Sequence, residues 1–173
     1  MEVKKNFWKN KKVLITGNLG FKGSWLCLQL SFFNAKVFGL DNDSANSSLI
    51  TKKSLKNYVK HQYKCDIRDL KKLNSIVSKV RPNIIIHMAA QSIVINSLEN
   101  PILTLDVNII GTGNVIESAR NNSSVKSILI VTSDKVYENN EKNKKFMENN
   151  RLGGEDPYSA SKACAEIISK SYS

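Results

Sequence analysis

The chain reads as short apolar runs separated by stretches in which apolar residues return every three or four positions. Lys12–Thr16, Lys36–Leu40, Ile84–Met88 and Ser127–Val131 each hold a compact apolar run, as expected of strands buried on both faces. A fainter strand is read at Tyr63–Cys65, turning at Asp66-Ile67-Arg68-Asp69. Between these runs, Phe21, Trp25, Leu28 and Phe32 keep helical spacing over Gly20–Phe33, and Leu70, Leu73, Ile76 and Val77 share one face of a helix over Asp69–Lys79. Pro101 opens a third helical pattern that runs to about Arg120, and Pro157 opens a fourth that runs to the end. Asn42–Lys60 is polar and reads as a loop with a short helix; Glu138–Glu155 reads as a long polar loop. Strands alternating with helices predict an α/β fold, a doubly wound parallel sheet covered on both faces.

Composition sharpens this only in places. A chain of 173 residues, 41% hydrophobic and 24% charged, is an ordinary globular domain. No run is long enough to span a bilayer, and the basic Met1–Lys12 stretch is followed by no apolar segment of the signal-peptide kind, so the expected location is cytoplasmic. The net charge of +11 invites a nucleic-acid reading. The lysines are spread along the chain without a basic stripe or interleaved aromatics, so no nucleic-acid partner is expected; a basic field favours small anions such as dinucleotides or nucleotide sugars. Cys27, Cys65 and Cys164 show no CxxC and no His at ligand spacing, and are read as reduced thiols with no metal.

Two motifs carry chemistry. Gly17, Gly20 and Gly23, in Thr16-Gly17-Asn18-Leu19-Gly20-Phe21-Lys22-Gly23, follow a strand and open a helix. That context suits a tight turn whose backbone approaches a pyrophosphate at a helix N-terminus, and so predicts a Rossmann-like dinucleotide site. Asp41, ending the second strand, either accepts from the adenosine ribose hydroxyls, which favours NAD over its 2′-phosphorylated form, or is a solvated turn residue. Asp66, ending the third, either faces the adenine edge or caps a helix, as Asp69 could.

The second motif is Tyr158 with Lys162, four residues apart and therefore on one helix face. A phenol normally titrates near 10; a neighbouring ammonium favours the tyrosinate, a base able to take a proton from a substrate alcohol. Thr132-Ser133-Asp134-Lys135 leaves the end of the fifth strand, where parallel-sheet sites lie. A hydroxyl there can hold the alcohol. Asp134 and Lys135 form an acid–base pair suited to a second proton transfer such as an elimination, or else a surface ion pair. His87 reads as a packed, hydrogen-bonded histidine.

These residues resemble the extended short-chain dehydrogenase/reductases that act on nucleotide sugars, and among them the CDP-glucose 4,6-dehydratases. The resemblance rests on TGNLGFKGSWL (16–26), DIRD (66–69), PNIIIHMAAQ (82–91), NIIGT (108–112), VTSDKVYEN (131–139) and LGGEDPYSASKACAE (152–166). It implies that NAD is held by Gly17, Gly20, Phe21, Lys22, Gly23, Asp66, Ile67, Ala89, Ala90, Gln91, Asn108 and Thr132, with Tyr158 and Lys162 at the nicotinamide ribose; Asp41 joins this set through its place at the end of the second strand, where it departs from the family. It implies that Ser133 holds the sugar 4-hydroxyl, Tyr158 is the base and Asp134 protonates the departing 6-hydroxyl. Lys135 stands where the dTDP-glucose enzymes carry a Glu base. The implied reaction turns CDP-glucose into CDP-4-keto-6-deoxyglucose for surface polysaccharide; the alternatives are another nucleotide-sugar epimerase or dehydratase, or a non-catalytic NAD-binding chain. A homodimer through the helix ending near Arg120 and the Tyr158 helix is also implied. The chain is roughly half the family's length, so residues 1–173 are expected to form an N-terminal fragment: one NAD-binding domain, truncated before the last sheet strands and a C-terminal substrate domain.

Overall fold

The computed structural model describes residues 5–42, 52–138 and 145–172. After a helical turn, α1 (Lys5–Trp8), the chain enters β1 (Lys12–Thr16), α2 (Phe21–Phe32), β2 (Lys36–Asp41), α3 (Lys52–Leu55), β3 (His61–Lys64), α4 (Leu70–Val80) and β4 (Ile84–His87). It continues through α5 (Val94–Glu99), α6 (Pro101–Leu105), a π turn (Asp106–Ile110), α7 (Gly111–Arg120), β5 (Ser127–Ile130), a 3-10 turn (Asp134–Val136) and α8 (Pro157–Ser171). The five strands form one parallel sheet in the order β3-β2-β1-β4-β5. This is the Rossmann-like order, with a crevice where β1 and β4 diverge. No helix among the described residues is long and apolar enough to cross a membrane.

The strand period of two sorts the core. Leu14 of β1 joins Leu40, Ile85 and the α4 and α7 residues Leu73, Ile76, Val77 and Val115 on one face. Val13 and Ile15 point the other way, joining Val37, Ile84 and Ile86 with Cys27 and Leu30 of α2. The long helices end as their sequences dictate. Asp69 caps α4 by accepting from Lys72 N–H at 2.9 Å, and Arg81 ends it in the left-handed region at φ 51°. Asp156 caps α8, with Pro157 as its first residue.

Several elements differ from the expected ones. β3 begins two residues early and ends at Lys64; as an edge strand with no fully buried residue, it lacks the apolar signature. α5 was not foreseen; it is only six residues long, and Ile95 and Leu98 are exposed. The Pro101–Arg120 helix exists but widens into the π turn at its centre. The aromatic stripe of α2 is not its core face. Phe21, Trp25 and Phe32 are exposed, whereas Gly23, Ser24, Cys27 and Leu30 are buried. Small side chains let this helix lie close to the sheet, a demand that outranks aromatic spacing. Of the two polar loops, residues 43–51 and 139–144 lie outside the described residues. The remainder of the second is organised: Tyr137 bridges to Leu152, Tyr137 stacks on Phe146, and Glu138 pairs with Arg151.

Candidate active site

Over the carboxyl ends of the strands lies a cleft of about 690 Å³. Its floor is the β1–α2 turn. Gly17 has φ 70°, and a Cβ on it would lie 2.6 Å from Ala89 N. A Cβ on Gly23 would lie 2.2 Å from Gly17 O. Only glycine permits this approach of turn, helix and β4. The turn is anchored from below: Gly17 N–H donates to Leu40 O at 2.8 Å and Leu19 N–H to Asp41 Oδ2 at 3.3 Å. Asn18, fully buried, exchanges two amide hydrogen bonds with Gln62 of β3, at 2.6 and 3.0 Å. Gly39 makes room for that pair, since a Cβ there would lie 2.3 Å from Asn18 Nδ2.

Beneath the β4 side, a buried chain runs through His87. Thr112 Oγ1 donates to Asn108 O at 2.6 Å, so it accepts from His87 Nε2 at 3.1 Å; His87 Nδ1 then accepts from Thr16 Oγ1 at 2.6 Å. Thr16 Oγ1 in turn accepts from Met88 and Ala89 N–H at 3.2 Å each, holding the start of the cleft loop. Burial, and then the charge of Lys162, push His87 down from 6.5 to about 3. The unfolded chain therefore binds a proton that the folded chain refuses. Stability from this residue is complete above about pH 6.5 and is lost as pH falls toward 3, by up to about 1.4 kcal/mol per unit. His87→Gln is expected to flatten the pH dependence of the chemical denaturation midpoint between pH 7 and 4.5; a variant with the wild-type slope would refute this.

On the far wall stands α8. Tyr158, 9% exposed, and Lys162, 7% exposed, both line the cleft. Lys162 Nζ donates to Val131 O at 3.3 Å, and burial followed by repulsion from Lys22 pushes it down to about 8. The Tyr158 main chain is held on both sides: its N–H donates to Ser97 Oγ at 3.2 Å, and its carbonyl accepts from Ser161 Oγ at 2.6 Å. Thr132 Oγ1 donates to the Glu166 carboxylate one turn past Lys162, tying the end of β5 to the same helix.

The cleft gathers Gly17, Gly20, Phe21, Lys22 and Gly23 with Asp41, Asp66, Ile67, Ala89, Ala90, Gln91, Thr132, Tyr158 and Lys162. Asn108 is a correction. It is 1% exposed and absent from the lining; its amide takes Gln91 N–H at 2.8 Å and donates to Gln91 O and to Ser161 Oγ at 2.9 Å each. The buried turn around it engages both amide hydrogens and the oxygen, so it supports the cleft from behind. Ser133, Asp134 and Lys135 also lie outside the lining, on the turn just beyond Thr132, with Asp134 and Lys135 exposed. Asp41 is 6% exposed, a buried β2 residue holding Leu19, which rules out the solvated-turn reading. The helix cap is Asp69, whereas both oxygens of Asp66 meet the Arg68 guanidinium at 2.7 and 3.0 Å. Those hydrogen bonds hold its carboxyl below the usual range, and Arg68 also reaches Asp106 at 3.0 Å. Burial pushes the Cys27 and Cys65 thiols up to about 12 and about 11, which leaves them inert. Gln62, Gly39 and Ser97 carry no motif, and Glu166 closes one without showing its role, because their partners lie 21 to 61 residues away.

Fold and cleft together define a Rossmann-like α/β domain with a glycine turn facing a Tyr–Lys helix. The chain belongs to the family described as GDP-mannose 4,6 dehydratase, whose model matches residues 14–173. It is 39% identical to CDP-glucose 4,6-dehydratase of Salmonella typhimurium over 98% of this chain and 47% of that protein. In structure it is similar to an epimerase of Methanothermobacter thermautotrophicus, with a TM-score of 0.86 and 28% identity, over 97% of this chain and 49% of that one. It is also similar to the UDP-glucose 4-epimerase of Thermus thermophilus in complex with NAD, with a TM-score of 0.83 and 28% identity, over 93% of this chain and 50% of that one. The chain thus spans about half the length of the relatives it matches.

Proposed function

We propose that this chain carries the NAD-binding and acid–base machinery of a CDP-glucose 4,6-dehydratase, a cytoplasmic enzyme that makes CDP-4-keto-6-deoxyglucose for polysaccharide synthesis. The observation that carries the reading is the single cleft with the glycine turn on one wall and Tyr158 and Lys162 on the other. The residues fit a dinucleotide: a turn packed so closely on the end of β4 and on α2 that a Cβ at Gly17 or Gly23 would strike main chain, set at the N-terminus of α2, can take a pyrophosphate. Gly17, Gly20, Lys22 and Gly23 would hold it, Asp41, Asp66 and Ile67 the adenosine half, and Ala89, Ala90, Gln91 and Thr132 the nicotinamide half.

NAD, when bound, supplies the hydride acceptor at C4 of the sugar and returns the hydride at C6. Tyr158 takes the proton of the 4-hydroxyl as C4 becomes a ketone, with Ser133 holding that oxygen and Lys162 one helical turn along on the same cleft wall. The ketone acidifies C5–H. Lys135 takes the C5 proton and gives it back to C5 when the hydride reaches C6, while Asp134 protonates the 6-hydroxyl as it departs as water. The sugar ends one water lighter, with no net oxidation. A homodimer would use the helix ending at Arg120 and the Tyr158 helix, on which Ile102, Ile110 and Ile167 are exposed.

The test is to incubate the full chain with NAD⁺ and CDP-glucose and weigh the sugar nucleotide. Loss of one water without accumulation of reduced cofactor supports the reading. Epimerised UDP-glucose with no water lost would replace it with an epimerase, and NAD binding without any product would leave a cofactor-binding chain.

A further inference from the structure

We propose that Ser97 is a positioning residue for Tyr158: its buried hydroxyl holds the tyrosine main-chain N–H and so sets where the phenol stands in the cleft. The inference rests on Tyr158 acting as the base. Tyr158 is the second residue of α8, where an N–H has no carbonyl within the helix to donate to. The Asp156 cap takes the Ser159 N–H at 2.9 Å and the Ser159 hydroxyl at 2.6 Å, and it also feels the Tyr158 N–H, which it shares with Ser97. Ser97 Oγ stands 3.2 Å from Tyr158 N. Its own proton is committed to Val94 O at 2.6 Å, so toward α8 the oxygen is an acceptor only. Ser97 has no exposed surface, and no solvent competes for the bond.

The position of Ser97 adds a second reason. Ser92 and Ile93 line the cleft, and α5 begins at the next residue. Ser97, one turn into that helix, therefore fastens the cleft rim to the start of the tyrosine helix. From the other side, Ser161 Oγ donates to Tyr158 O while accepting from Asn108. Tyr158 is thus held at both main-chain polar atoms by buried hydroxyls, one of them from another helix. Alanine would suit the interior of α5 better on propensity alone, so the hydroxyl is explained by what it holds.

The test uses Ser97→Ala and Ser97→Thr in the full chain, with two readouts. By amide hydrogen exchange, S97A should lose about 10-fold or more protection at Tyr158 while amides of β1 and α4 are unchanged, and S97T should retain it. In turnover, S97A should lower kcat about 10-fold with NAD⁺ affinity and KM within about 2-fold, and S97T should restore it. Unchanged Tyr158 exchange in S97A would overturn the proposal. So would kcat, cofactor affinity and melting temperature falling together, since that marks a merely structural serine. If the chain shows no turnover, the dehydratase reading fails while the exchange arm still decides the Ser97 contact. If S97A does not fold, Asp156→Ala decides: free exchange at Tyr158 in that variant overturns the proposal, and protection that survives there sustains it, because Ser97 is then the remaining acceptor.

Discussion

Gly23→Ala is expected to weaken dinucleotide binding on the order of 100-fold and to destabilise the domain. The added Cβ would lie 2.2 Å from Gly17 O and 2.8 Å from Asn18 Cα, both main-chain atoms. Neither can yield cheaply. Gly17 is pinned at φ 70° by its bond to Leu40 O, and Asn18 is locked to Gln62 by two amide bonds. Overpacking of this kind costs about 1–3 kcal/mol. A turn displaced by about 1 Å loses on the order of 100-fold in a function that depends on its geometry. Gly113→Ala is the control. Nothing lies within 4 Å of its Cβ, and it sits inside α7, so it should stabilise by about 0.5–1 kcal/mol. Thermal unfolding and NAD⁺ titration of both variants check the pair; a G23A protein that binds NAD⁺ as the wild type does would remove the cradle from the argument.

Tyr158→Phe should cut dehydratase turnover by about 10²–10⁴-fold while leaving fold and cofactor affinity in place. Phenylalanine keeps the ring of a residue that is 9% exposed, and both main-chain bonds, to Ser97 and from Ser161, survive the change. What disappears is the group proposed above as the proton acceptor for the 4-hydroxyl. The measurement is turnover by mass spectrometry beside an NAD⁺ titration. Wild-type turnover in Y158F would mean that the base is elsewhere, and a parallel loss of cofactor binding would mean that the phenol is a ligand first.

Buried strands and glycine spacing made the sheet and its crevice legible, because both are local demands: an apolar run buries itself, and a turn against a helix needs missing Cβ atoms. Tyr158 and Lys162 were legible for the same reason, being one helical turn apart. The supports were not. Asn108 carries a family motif, but its amide serves Gln91 and Ser161 behind the cleft, a fact held in tertiary contacts across 17 and 53 residues. The α2 aromatics misled because periodicity reports an apolar stripe without saying which side faces the sheet; Gly23 and Ser24 decided that. β3 and α5 escaped because one is an exposed edge strand and the other is a single short helix.

The π turn at Asp106–Ile110 has a consequence for how chains of this kind are compared. It spends one residue more than an α-helical turn would, and Asn108 sits at its centre. Because the wider turn itself takes up the extra residue, α7 leaves it with Thr112 on His87 and with Val115 and Ala119 in the core. A chain one residue shorter here would wind as a regular helix and keep the same faces. A one-residue gap in this helix when sequences are aligned therefore belongs inside Asp106–Ile110, where it marks the loss of a bulge and not the turning of a face.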